Sequence, residues 1–139
     1  MTYFISVVAA LSTLFSAIAA YLSYKSYTRF ARANIEIQIT IMIINERNTY
    51  TNVLKDPSVD KESTLFLTAV EQLLSAYEYA TNFFFQDKVD SEWFKETFSN
   101  EIKSYLTNDS KFKGVFDRHK TQFRSLNKFY NDYILAVNL

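Results

Sequence analysis

One glycine and one proline, Gly114 and Pro57, are the only backbone breakers in 139 residues. Average usage would supply roughly ten glycines and seven prolines at this length. A chain so poor in turn formers cannot readily close the many tight connections of a sandwich, a barrel or a parallel α/β sheet. Long helices joined by few turns remain, and residues 1–56 contain no breaker at all. The expected class is therefore all-α. With no cysteine and one histidine, His119, disulfides, thiolate or multi-histidine metal sites and cysteine nucleophiles are excluded. Neither a metal nor a cofactor is expected.

The formal charge is zero, yet the charges are sorted along the chain. Residues 1–32 carry +3 with no acid, residues 33–55 balance, residues 56–109 carry −7, and residues 110–139 carry +4. Before Lys25 there is no charged side chain. Residues 4–22 span about 28 Å as a helix, close to the ~30 Å hydrocarbon core of a bilayer. Tyr3 stands at one end and Tyr21, Tyr24 and Tyr27 at the other, where amphipathic rings favour the interface. The competing reading is a cleaved signal peptide, with Ala17-Ile18-Ala19 as its small-x-small site. Against it, no base precedes the apolar run, and the run exceeds the usual 7–15 residues. The expected layout is a transmembrane helix over 1–24, a cytoplasmic extension of that helix over 25–55, and a helical cytoplasmic domain over 56–139. The flanking bases all follow the span, so the positive-inside rule puts the C-terminal part in the cytoplasm and the N-terminus outside, as a single-pass protein of a bacterial inner membrane.

On a helical wheel the span divides. Ser6, Ala9, Ala10, Ser12, Thr13, Ser16, Ala17, Ala20 and Ser23 share one arc; Phe4, Val7, Val8, Leu11, Leu14, Phe15, Ile18, Tyr21 and Leu22 share the other. A bulky arc suits lipid. Small-xxx-small pairs such as Ser12/Ser16 and Ser16/Ala20 let backbones approach and hydroxyls bond between helices. The expected role of the small arc is the inter-helix or pore face of a homo-oligomer. Lys25, Arg29 and Arg32 continue the bulky face, where they meet lipid headgroups.

Between residues 33 and 44 two patterns compete. Ile35, Ile37, Ile39 and Ile41 alternate as a strand would, whereas Ala33, Ile37, Ile41 and Ile44 fit one helix face. No other segment reads as a strand to pair with it, so helix is expected. A second helix is predicted from Glu62 to Phe85, with Asp60 or Ser63 as its cap and Phe66, Ala69, Leu73, Tyr77, Ala80 and Phe84 on its apolar side. Asp90 should cap a third helix, with Val89 stapled onto Phe94, that stops at Asn108-Asp109-Ser110. The last segment reads as a fourth helix broken near Gly114, carrying Phe112, Phe116, Phe123, Leu126, Tyr130, Tyr133 and Val137.

Chemistry is scarce. His119 is the only imidazole base; Ser125 is a conceivable nucleophile, but no residue type at a telling spacing orients the pair. Helical ribonucleases of the HEPN class use an Arg and a His with four to six residues between them, and here the places five to seven before His119 hold Gly114, Lys113 and Phe112. The pair Glu92 and Glu96 fits a solvated helix face, with Lys88 and Lys95 interleaved. The expectation is a non-enzymatic protein. Lys111, Lys113, Arg118, Lys120, Arg124 and Lys128 interleave with Phe112, Phe116 and Phe123, a pattern able to bind an anionic ligand such as RNA or a nucleotide, or else an amphipathic helix whose aromatics are core. The same bases would also suit the acidic region of a neighbouring subunit.

Within residues 73–98, a helix ends in the turn Lys88-Val89-Asp90 and the next one opens Ser91-Glu92-Trp93-Phe94. In this the chain resembles small single-pass bacterial proteins with an N-terminal span and a helical cytoplasmic domain, among them the membrane-pore accessory protein of type VI CRISPR systems. The resemblance implies a homo-oligomer that forms a pore in the membrane and serves antiphage defence, with RNA, a nucleotide or a defence-system protein as trigger. The alternative is a membrane-tethered adaptor that binds such a partner through residues 111–128.

Overall fold

A computed structural model describes residues 2–60 and 63–136, with side chains described from Ser12 onward. Its order is α1 (Thr2–Lys55), α2 (Thr64–Phe85), α3 (Ser91–Asn108), α4 (Ser110–Arg118) and α5 (Arg124–Phe129), followed by a π-helical segment over Tyr130–Leu135. No strand occurs among the described residues, so the all-α class stands. Two compact units emerge, Met1–Asn34 and Ile35–Leu139. The later part of α1 thus belongs with the helical domain, which begins some twenty residues earlier than the turn at Pro57 suggests.

In the first unit every side chain from Ser12 to Tyr27 is exposed, including Leu14, Phe15, Ile18, Tyr21 and Leu22. No helix is long and apolar enough to cross a membrane among the described residues. Residues 4–11, the first part of the predicted span, lie outside those whose side chains are described, so that finding concerns the run from Ser12 onward.

In the second unit, α2 packs against α3, α4 and α5, while α3 meets α4 and the π-helical segment. The core is aromatic, and its ring contacts tie distant segments together. Phe94 lies with ring centroids 5.2 Å from Phe84 and 5.3 Å from Phe129, both near edge-on or tilted, the arrangement ring quadrupoles favour. Tyr50 of α1 stands 5.9 Å from Phe66 and from Phe112 and 5.7 Å from Tyr105.

Local chemistry explains the helix boundaries. Ser63 caps α2 by accepting the Phe66 N–H at 3.3 Å, and Asp90 caps α3 by accepting those of Glu92 and Trp93. Val89 and Phe94 are both buried at the positions a hydrophobic staple requires. The α2 C-terminus closes as a Schellman motif: the Lys88 N–H donates to the Phe83 carbonyl and that of Asp87 to the Phe84 carbonyl. Asp87 has φ 56°, the left-handed conformation this closure demands, which Asp tolerates better than most side chains.

Two expectations are corrected. The buried face of α1 within the domain is Ile39, Ile43 and Tyr50, with Ile35, Met42 and Val53 packed beside them, whereas Ile37, Ile41 and Ile44 are exposed. Residues 33–44 are helical as expected, and the face that enters the core is not the one that Ala33, Ile37, Ile41 and Ile44 share. The last helix breaks at residues 119–123 and not at Gly114, which sits inside α4 with nothing within 4 Å of where a Cβ would be. Val137 lies outside the described residues.

Candidate functional site

The predicted association face lies on α1. Ser6, Ala9 and Ala10 lie outside the residues whose side chains are described. Thr13, Ser16, Ala17, Ala20 and Ser23 are all exposed, as are Leu14, Phe15, Ile18, Tyr21 and Leu22 of the bulky arc. Ser16 Oγ donates to the Ser12 carbonyl at 2.9 Å, so this hydroxyl is satisfied inside its own helix and can face an apolar environment without an orphaned donor. Lys25, Arg29 and Arg32 are exposed one after another down the following turns. Tyr24, Tyr27 and Phe30 each expose about 70% of their surface.

The six bases of the C-terminal segment do not converge on one site. Lys113 and Lys120 line a groove of about 360 Å³ together with Asn127, Tyr130 and Asn131. Lys120 Nζ is held there by Asp117 Oδ1 at 2.9 Å. The others are directed elsewhere. Arg118 Nε donates to the Gly114 carbonyl, Arg124 Nε donates to that of Thr121, and Lys128 Nζ lies 4.4 Å over the Phe85 ring. Lys111 is the second residue of α4, and its backbone N–H donates to Asp109. Phe112, Phe116 and Phe123, the aromatics interleaved with these bases, are all buried, so none offers a face for base stacking.

His119 ends α4 and opens onto a shallow groove of about 400 Å³ lined by Glu71, Ser75, Glu78, Gln122 and Phe123. Its Nε2 lies 4.0 Å from Glu71 Oε1, and both side chains are substantially exposed. Ser75 Oγ donates to the Glu71 carbonyl at 2.7 Å rather than to the imidazole. Ser125 gives its backbone N–H to Glu78 Oε1. The residue types of a hydrolytic site are thus near one another, but the Ser75 hydroxyl is turned to a structural partner. Among the described residues there is no group of three or more His, Cys, Asp and Glu able to hold a metal ion.

Four polar contacts that periodicity could not foretell hold the domain. Glu78 of α2 accepts the N–H groups of Ser125 at 3.0 Å and Leu126 at 2.8 Å. Phe123, the N-cap of α5, has no side-chain acceptor, so a carboxylate 45 residues earlier serves as the cap and adds favourable charge at a helix N-terminus. Glu36 of α1 likewise accepts the Asp90 N–H at the start of α3. Asp109 accepts Lys111 and Phe112 N–H groups to cap α4 and receives the Tyr50 hydroxyl on its other oxygen. Burial first and the Asp109 carboxylate second push the Tyr50 phenol well above its ordinary range, so it stays a donor. Arg47 Nη1 meets Glu101 Oε1 at 3.0 Å. Tyr77 is buried beside them, its hydroxyl near Glu101 without a hydrogen bond of good geometry, and burial holds it protonated.

The Glu78 contact yields a direct expectation. Glu78→Ala leaves two helix N–H groups unsatisfied and should cost about 2 kcal/mol in urea unfolding, whereas Glu78→Gln, which keeps one acceptor oxygen, should cost about half of that. A Glu78→Gln variant as stable as the wild type, beside a destabilised Glu78→Ala, would mean that the side chain acts through packing alone.

Comparison with family models, with curated proteins and with solved structures finds no match for the chain.

Proposed function

We propose that the chain is a membrane-anchored, non-enzymatic effector that assembles with copies of itself in the bacterial inner membrane and permeabilises or depolarises it. The observation that carries this reading is the character of α1 before Asn34. Between Thr13 and Ser23, Leu14, Phe15, Ile18, Tyr21 and Leu22 stand exposed along one arc, and Thr13, Ser16, Ala17, Ala20 and Ser23 along the other. In water such a surface is unfavourable, at about 25 cal/mol for each Å² of apolar area left wet. Lipid on the bulky arc and a neighbouring helix on the small arc remove that cost together. The antiphage setting, with RNA, a nucleotide or a defence protein as trigger, is what the resemblance at residues 73–98 suggests.

A second reading, a tethered adaptor for an anionic partner, draws on the groove that Lys113 and Lys120 share. One experiment separates the two. On induction in cells, uptake of a membrane-potential dye should fall, and the detergent-solubilised chain should scatter light as an oligomer. A monomeric particle with an unchanged potential would remove the effector reading. If salt-sensitive binding to RNA were then lost on changing Lys113 and Lys120 to Glu, the adaptor would be favoured.

A further inference from the structure

Within the helical domain α1 has one face already occupied and one face free. Ile39, Ile43 and Tyr50 are buried, with Ile35 and Met42 packed beside them. Ile37, Ile41 and Ile44 are 57%, 54% and 38% exposed. These three stand four and three residues apart, and the spacing extends by three to Asn34 and by four to Asn48, both exposed. Alternating threes and fours are the period of a coiled-coil seam. In heptad terms Asn34, Ile41 and Asn48 take position a, and Ile37 and Ile44 take position d. The residues that face the domain core then fall at b, c and f, so the two faces do not compete for side chains.

We infer that this seam joins α1 to the same stretch of further copies of the chain, in parallel and in register. The inference rests on the self-association proposed above and names the surface within the domain that carries it. The seam suits a copy of itself for three reasons. The flanking positions e and g between Asn34 and Asn48 are Gln38, Thr40, Asn45 and Arg47, and Arg47 is engaged by Glu101, so parallel copies bring no free like charges together. In a parallel assembly each a-position Asn meets its own counterpart, and an amide both donates and accepts. A lipid surface would leave those amides unpaired, and it favours Lys and Arg along the flanks, where this stretch has none but Arg47. Isoleucine at d as well as at a favours three or more strands over two. In the sequence the same spacing runs back through Phe30 and Tyr27 to Ser23, Ala20, Ser16 and Thr13, and these last four belong to the association face read from the apolar run.

The chain has no cysteine, so one introduced thiol reports one position. Ile37→Cys and, as an exposed b-position control, Thr49→Cys are made in the full-length chain and oxidised in the membrane of expressing cells. Ile37→Cys should become mostly disulfide-linked dimer, with Thr49→Cys at least fivefold lower. Equal linking by both would overturn the seam, because contact would then be unspecific. An unlinked Ile37→Cys in a particle that light scattering shows to be oligomeric would also overturn it, while leaving self-association intact. A monomeric wild type would fail both readings at once.

Discussion

Phe94→Ala should lower the stability of the helical domain by about 3–5 kcal/mol, the range for truncating a fully enclosed aromatic. Phe94 has no exposed surface, and its ring lies 5.2–5.3 Å from those of Phe84, Phe98 and Phe129. The loss has two parts: the ring's transfer energy, and a void that three large rings on α2, α3 and α5 cannot close without leaving their own rotamers. Small domains have about 5–15 kcal/mol in all, so this one change removes a large share. Trp93 is the chain's only tryptophan and lies 5.6 Å from Phe98, so its fluorescence follows this core through a urea titration of the detergent-solubilised chain. Phe94→Leu, which keeps most of the volume, should cost less than about 1.5 kcal/mol. A Phe94→Ala cost under about 1 kcal/mol would show that the rings relax into the space and that the core is not organised around this residue.

How much of this was legible beforehand depended on how far apart the partners lie. The boundaries of α2 and α3 follow from Ser63, Asp90 and Asp109, whose side chains act on N–H groups two or three residues away. Local chemistry of that kind is written in local sequence. The face of α1 is different. Its isoleucines form two apolar stripes, and spacing alone fits Ile37, Ile41 and Ile44 as well as Ile39 and Ile43. What decides between them is the continuation to Tyr50, which meets Phe66, Tyr105 and Phe112 from three other helices. The break before α5 was misplaced for the same reason. Gly114 is the stronger local signal, but the chain turns at residues 119–123, where Phe116 and Phe123 stack 6.4 Å apart and Glu78 caps the next helix from across the core. The basic segment shows the converse: a regular pattern of Lys and Arg in sequence is dispersed by folding, with Lys113 and Lys120 in one groove and Arg118, Arg124 and Lys128 on separate local partners.

Ala17→Leu should abolish assembly and restore the membrane potential while leaving the chain in the membrane. Ala17 lies on the small arc, exposed, one turn after Thr13 and one turn before Ala20. Leucine is at least as favourable as alanine in a lipid environment, so insertion is not weakened. What changes is the distance of approach. Helices pack closely in a bilayer where small side chains let the backbones meet, since lipid tails and apolar side chains are equally greasy and no hydrophobic force drives the helices together. Forcing a leucine into such a contact costs about 1–3 kcal/mol, and each 1.4 kcal/mol is tenfold in an association constant. Every copy brings the same substitution, so the loss recurs at each interface of a symmetric assembly. Ile18→Leu, on the bulky arc, is the matched control and should leave both particle mass and dye response unchanged. An oligomer that survives Ala17→Leu but is lost with Ile18→Leu would put the contact on the opposite arc, and the small residues would then be facing lipid.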